Sequence, residues 1–123
     1  MNKDIRILVC DDSILARKNL CGLLKSQGFT DISEAGNGED AVKFAVENKP
    51  DLIFLDIVMP VKDGVSATRE IKEGFPDAKI IIVSSVGTQT HIKEAIKAGA
   101  KDFIQKPVDA ELLKQVLDHH LPK

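Results

Sequence analysis

The chain has no tryptophan and no tyrosine, and five phenylalanines are its whole aromatic complement. No indole or phenol is therefore available to stack on a flavin. Cysteine is scarce too. Cys10 and Cys21 form neither a metal motif nor a disulfide framework. Cys10 lies in an apolar run and Cys21 at helical spacing with Arg17 and Leu24, so both read as reduced thiols packed as small hydrophobes. No apolar run approaches the roughly 20 residues a membrane span needs. Met1-Asn2-Lys3-Asp4 passes straight into a strand pattern, without the apolar stretch of a signal peptide. Charge of one sign is also lacking: a formal net charge of −2 gives no electrostatic footprint for nucleic acid or an anionic membrane. There is no linker and no low-complexity tract. The expectation is a cytoplasmic protein with no nucleic-acid or membrane partner, and one domain over residues 1–123.

What is present is ordinary in amount and informative in order. Hydrophobic residues make up 43% and charged residues 29%, and 123 residues can bury roughly two-thirds of the surface of the unfolded chain. Strand-like and helix-like segments alternate five times. Ile5–Cys10 is followed by Leu15, Leu20, Leu23 and Leu24 near helical spacing, up to Gly28 as a C′ glycine. Asp31–Ala35 precedes a Gly36-Asn37-Gly38 turn signal and a helix marked by Ala41, Val42, Ala45 and Val46, which Lys49-Pro50 ends. Leu52–Leu55 is wholly apolar, as a central parallel strand covered on both faces requires. A loop with Pro60 and Gly64 leads to a helix over Val65–Glu73. Lys79–Val83 is the fourth strand, before a helix through Ile92, Ala95 and Ile96 that stops at Gly99. Asp102–Gln105 is the fifth, and Asp109 can cap a last helix through Leu112, Leu113, Val116 and Leu117. Five βα units with short connections require right-handed crossovers and a parallel sheet between helices.

The chemistry collects where the strands end. The first run stops at Asp11-Asp12, the third at Asp56, the fourth at Ser84 and the fifth at Lys106-Pro107. In an open α/β sheet these carboxyl ends form the ligand-binding edge. Three carboxylates there are hard oxygen donors suited to Mg²⁺, although one Asp of an isolated pair could equally cap a helix while the other is solvated. Asp56, at the end of the central strand, is placed to act as a carboxylate nucleophile towards a phosphoryl group. Ser84 can donate a hydroxyl and Lys106 an ammonium to phosphoryl oxygens. Taken singly, Ser84 also reads as a strand-end cap and Lys106 as a solvated lysine.

In this order the segments Val9–Ser13, Leu55–Pro60 with Asp63-Gly64, Ile82–Ser85 and Phe103–Pro107 resemble a response-regulator receiver domain of the stand-alone, CheY-like chemotaxis type, over essentially the whole chain. The resemblance implies a flavodoxin-like, doubly wound (βα)5 fold whose five-stranded parallel sheet runs in the order 2-1-3-4-5, which is the family's own order. It makes Asp56 the phosphoacceptor and gives Mg²⁺ to Asp12, Asp56 and the backbone carbonyl of Val58, with Asp11 reaching it through water. It also implies a cis Lys106-Pro107 peptide. Of the two adjacent serines, the spacing to Lys106-Pro107 selects Ser84 as the switch hydroxyl. Phe103 takes the place of the aromatic that rotates on signalling, often Tyr in chemotaxis members.

The function so implied is a phosphorylation switch of two-component signalling and not a classical enzyme. A histidine kinase supplies the phosphoryl group, and a surface of the fourth helix, fifth strand and fifth helix, with Lys93, Lys97, Ala98, Lys114 and Asp118, receives a target. That target is the flagellar motor switch in chemotaxis members, which the stretch from Val86 and that from Ala95 to Ile104 resemble. Val58 and Val86 stand two residues after Asp56 and Ser84, where dephosphorylation is tuned. Neither can orient a water, which points to a long-lived phosphoryl group and a separate phosphatase. His91, His119 and His120 have no ligand spacing and read as surface residues. A phosphorelay intermediate is the alternative within the class. A flavodoxin-like cofactor binder is opposed by Asp11-Asp12, which would repel a phosphate, and a metal-dependent phosphatase by the absence of a substrate-enclosing cap.

Overall fold

In a computed structural model that describes residues 3–85 and 89–121, every expected element forms. The order is β1 (Arg6–Cys10), α1 (Ile14–Ser26), β2 (Asp31–Ala35), α2 (Gly38–Asn48), β3 (Leu52–Leu55), α3 (Gly64–Gly74), β4 (Ile80–Ser84), α4 (Gln89–Ala98), β5 (Asp102–Gln105) and α5 (Ala110–His120). The five strands are all parallel and run in the order β2-β1-β3-β4-β5. The ends differ from the expected ones by a residue: Ile5 falls outside β1, and Ser84 is the last residue of β4 rather than the first beyond it.

Side-chain alternation divides the core in two. Leu8, Cys10, Ile53, Leu55, Ile80 and Ile82 face Ala41, Ala45, Val65, Ala67, Ile71 and Ala95 of α2, α3 and α4. Ile7, Val9, Leu52, Phe54, Ile81 and Val83 face Leu20, Cys21 and Leu24 of α1 and Leu113, Val116 and Leu117 of α5. β3 and β4 are buried at every position because both faces are covered, so their sequences are continuously apolar instead of alternating. Both cysteines are buried free thiols. Burial, and after it the neighbouring Asp11, pushes the Cys10 thiol up to about 12, so it packs as a hydrophobe against Met59 Sδ at 3.3 Å.

The helices begin where short polar side chains can accept the exposed amides. Ser13, Asn37, Asp63 and Asp109 cap α1, α2, α3 and α5. Helix α1 ends as its glycine requires: Gly28 has φ +99°, its amide donates to Lys25 O and that of Phe29 to Leu24 O. Because β1 is followed on one side by β2 and on the other by β3, the crossovers diverge between β1 and β3, and a crevice opens at their carboxyl ends. Asp11 and Asp12 follow one strand, Asp56 the other.

Candidate functional site

Asp11, Asp12 and Asp56 each present a carboxylate oxygen, and the three lie within 4.8 Å of one another. The acid pair can face one point because β1 has ended: the chain turns at Asp11, whose Oδ1 accepts the Ser13 amide at 2.9 Å. Ser13 itself caps α1, through Oγ on the Ala16 amide at 3.2 Å, so neither acid is used as the cap. Asp11 and Asp56 are buried, with 5% and 7% of their surface exposed, whereas Asp12 is exposed. Three carboxylates so close repel one another, and positive charge among them offsets that repulsion. Lys106 supplies it by ion-pairing with Asp11 Oδ2 and, at 3.1 Å, with Asp56 Oδ2. Burial works against the ammonium, but its bonds to Asp11 and Asp56 outweigh that and hold Lys106 above its ordinary value. The Lys106-Pro107 peptide is cis, as expected.

Ser84 is wholly buried and Ser85 is exposed. The pairing of Ile82 with Phe103 and of Ser84 with Gln105 sets Ser84 and the half-buried Phe103 on the same sheet face, the one covered by α2, α3 and α4. Ser85 alternates to the other face, with Val83 on the wall of the cleft between α1 and the β5–α5 corner. The Val58 amide donates to Asp56 Oδ1 at 3.4 Å, and the Val58 side chain is 58% exposed. Val86, the other residue read as tuning dephosphorylation, lies outside the described residues.

The loop from Asp56 to α3 is held by backbone. Gly64 N donates to Ile57 O at 2.7 Å, and a Cβ on Gly64 would sit 2.1 Å from the Asp56 carbonyl oxygen. We expect Gly64→Ala to lose roughly 1–3 kcal/mol of stability through this overlap. Gly22→Ala, where a Cβ meets nothing within 4 Å on α1, should gain roughly 0.5–1 kcal/mol. Urea unfolding of the two variants measures the contrast, and a neutral Gly64→Ala would show that the loop can yield. Sequence reasoning missed Val61, which has φ +69° inside a γ-turn closed by Lys62 N on Pro60 O at 2.7 Å. That conformation costs a β-branched residue on the order of 1–3 kcal/mol, and no turn residue announces it. The reading of His120 as a plain surface residue is corrected. Its side chain is 13% exposed and Nε2 lies 2.8 Å from Asp102 Oδ2, joining α5 to β5.

A doubly wound parallel sheet carrying an acid cluster, a lysine and a buried hydroxyl at one edge defines a phosphoryl-accepting receiver fold. The chain matches the response regulator receiver domain family over residues 7–118 and belongs to it. It is 41% identical over 116 residues to the chemotaxis protein CheY of Bacillus subtilis, covering 94% of this chain and 97% of that protein. It is 42% identical over 113 residues to CheY of Thermotoga maritima, covering 92% and 94%. The solved CheX–CheY–BeF3–Mg²⁺ complex of Borrelia burgdorferi contains a chain that superposes with a TM-score of 0.89 at 33% identity, over 96% of this chain and 90% of that one. The chain is accordingly a two-component response regulator, a phosphoacceptor switch rather than a classical enzyme. No described helix is long and apolar enough to cross a membrane.

Proposed function

We propose that residues 1–123 act as a stand-alone switch in chemotaxis, phosphorylated on Asp56 by a histidine kinase and read by a target protein at α4, β5 and α5. The observation that carries this is the convergence of Asp11, Asp12 and Asp56 on one point, with Lys106 bridging two of them. Coverage of nearly the full length of two chemotaxis proteins favours this over a phosphorelay intermediate.

Asp12, Asp56 and the Val58 carbonyl would hold Mg²⁺, with Asp11 one water further away. Both Asp11 oxygens are already engaged, by the Ser13 amide and by Lys106, while Asp12 has no hydrogen-bond or ion-pair partner among the described residues. When bound, the ion neutralises charge on the phosphoryl oxygens. An Asp56 carboxylate oxygen attacks phosphorus as the bond to the donor imidazole nitrogen breaks, and the imidazole leaves with the bonding electrons. Lys106 and Ser84 then turn to the phosphoryl oxygens. Withdrawal of Ser84 opens room on the sheet face it shares with Phe103, and the Phe103 ring moves into it. Phosphorylation biases this equilibrium only through its different interactions with the two states.

The partners are proteins. Ile14, Leu15, Val58 and Val61, 64%, 81%, 58% and 75% exposed, stand beside the acid pocket at the same sheet edge, which suits a kinase or phosphatase surface. Lys93, Lys97, Lys114 and Asp118 are exposed on α4 and α5, where the target, the flagellar motor switch, would bind. The protein would work in the cytoplasm.

The test of the switch is the amide spectrum in Mg²⁺ and beryllofluoride. The wild type should shift around Asp56 and throughout α4, β5 and α5. Lys106→Ala should keep the first set and lose most of the second, because its ammonium couples the acceptor to β5. An unchanged response in α4, β5 and α5 would remove Lys106 from the switch, and no response there in the wild type would remove the output surface.

A further inference from the structure

Helix α1 carries a cation that points away from solvent. The Arg17 side chain is only 17% exposed, and its guanidinium makes two bonds in different directions. Nη1 donates to the Asp11 backbone carbonyl at 2.7 Å, and Nε to Glu34 Oε1 at 3.1 Å on β2. Glu34 is held a second time by Lys18 Nζ at 2.9 Å. The group lies across Gly36, where an added Cβ would be 3.4 Å from Nη1. It thus joins the end of β1 and the edge strand β2 at the corner from which Asp11 and Asp12 project.

We propose that Arg17 is a positioning residue for the acidic pocket, fixing the β1–α1 corner so that Asp11 and Asp12 are in place before a divalent cation arrives. Asp11 is held at each of its polar groups: its amide donates to Ala35 O at 3.1 Å, its carboxylate accepts from Ser13 and Lys106, and its carbonyl accepts from Arg17. The last holds the backbone of the corner itself, through a side chain anchored on β2 by its own ion pair. Without it the carbonyl of the buried Asp11 loses this donor, and the corner is free to relax under the mutual repulsion of the three carboxylates. The guanidinium fork makes the two bonds at once, which a lysine ammonium on a flexible stem does not reproduce.

This rests on the acid pocket being the cation site, and calorimetric titration of Mg²⁺ into the unphosphorylated protein separates the two ideas. Partners that orient metal ligands are worth roughly ten- to hundredfold in metal affinity, so Arg17→Gln should weaken binding about tenfold and Arg17→Lys should recover only part of that. The direction is diagnostic. Removing a positive charge near a cation site strengthens binding by Coulomb's law alone, so equal or tighter binding by Arg17→Gln overturns the positioning role. Lys18→Gln removes a like charge from the same Glu34 without touching Asp11, and should bind no more weakly than the wild type. A loss there equal to that of Arg17→Gln would assign the effect to Glu34 and overturn the proposal. If Arg17→Gln is unfolded in chelator, Arg17→Lys decides, and full affinity in that variant overturns the proposal. Absence of Mg²⁺ binding by the wild type would instead overturn the reading of the pocket, and this inference with it.

Discussion

In Mg²⁺ and acetyl phosphate the wild-type chain is expected to gain the mass of one phosphoryl group, and Asp56→Asn to gain none. Asp56 lies at the end of the central strand, 7% exposed, with an oxygen 3.1 Å from the Lys106 ammonium. The amide of Asn has neither the charge nor the lone-pair donor strength to attack phosphorus, and it preserves size, so the variant should fold. Chelation should be nearly as damaging. A phosphoryl dianion entering the pocket meets Asp11 and Asp12 as well as Asp56, all within 4.8 Å of one another. At that separation two like unit charges repel by about 3 kcal/mol at an effective dielectric constant of about 20. Lys106 offers one positive charge against three carboxylates. A single uncompensated repulsion of this size in the transition state slows transfer by about a hundredfold, so labelling in chelator should fall by at least that much. Labelling of Asp56→Asn equal to the wild type would move the acceptor elsewhere. Labelling undiminished by chelator would leave the acids without their proposed task.

That much of the site could be read from sequence because strand ends are easy to read. A wholly apolar run such as Leu52–Leu55 has one plausible place in a parallel sheet, and the residue that ends it falls on the ligand edge whatever the details of the helices. Gly28 and Asp109 were legible for the same local reason, since each answers to the backbone within a few residues of itself. What escaped depends on contacts far along the chain. The bond from Arg17 to Glu34 spans two elements, and nothing in the spacing of either residue announces it. Asn37 was hidden in a turn signal, although its Oδ1 caps α2 through the Asp40 amide at 2.8 Å. Gly64 reads as a turn glycine, but the reason for it is the Asp56 carbonyl that a Cβ would strike. Val61 sits in left-handed backbone against its own preference, held there by the loop between Asp56 and α3. His120 pairs with Asp102 across 18 residues, so the helical pattern alone left it on the surface.

The phosphorylated form should be long-lived, and Val58→Asn should shorten its life. Hydrolysis needs a water in line with the bond from Asp56 to phosphorus, on the side away from the leaving carboxylate. Val58 follows Asp56 by two residues, its amide lies 3.4 Å from Asp56 Oδ1, and its side chain is 58% exposed. An isopropyl group there can neither accept nor donate a hydrogen bond, so on this proposal it should screen the approach without orienting a water. Side chains that do position or deprotonate a reacting water contribute on the order of ten- to ten-thousandfold. A neutral amide, which orients without acting as a base, belongs at the low end, so Val58→Asn should speed decay by about tenfold. Val86, placed at the second approach by family resemblance, is the site for a base, and Val58→Asn/Val86→Glu should decay faster than the single variant. A native phosphoryl group so shielded would persist until a separate protein supplied the missing polar side chain, inserted beside Val58. Loss of the phosphoryl mass with time, after removal of acetyl phosphate and in constant Mg²⁺, measures all three lifetimes. Should neither variant outpace the wild type, metal-bound or backbone-held water sets the rate, and neither valine tunes it.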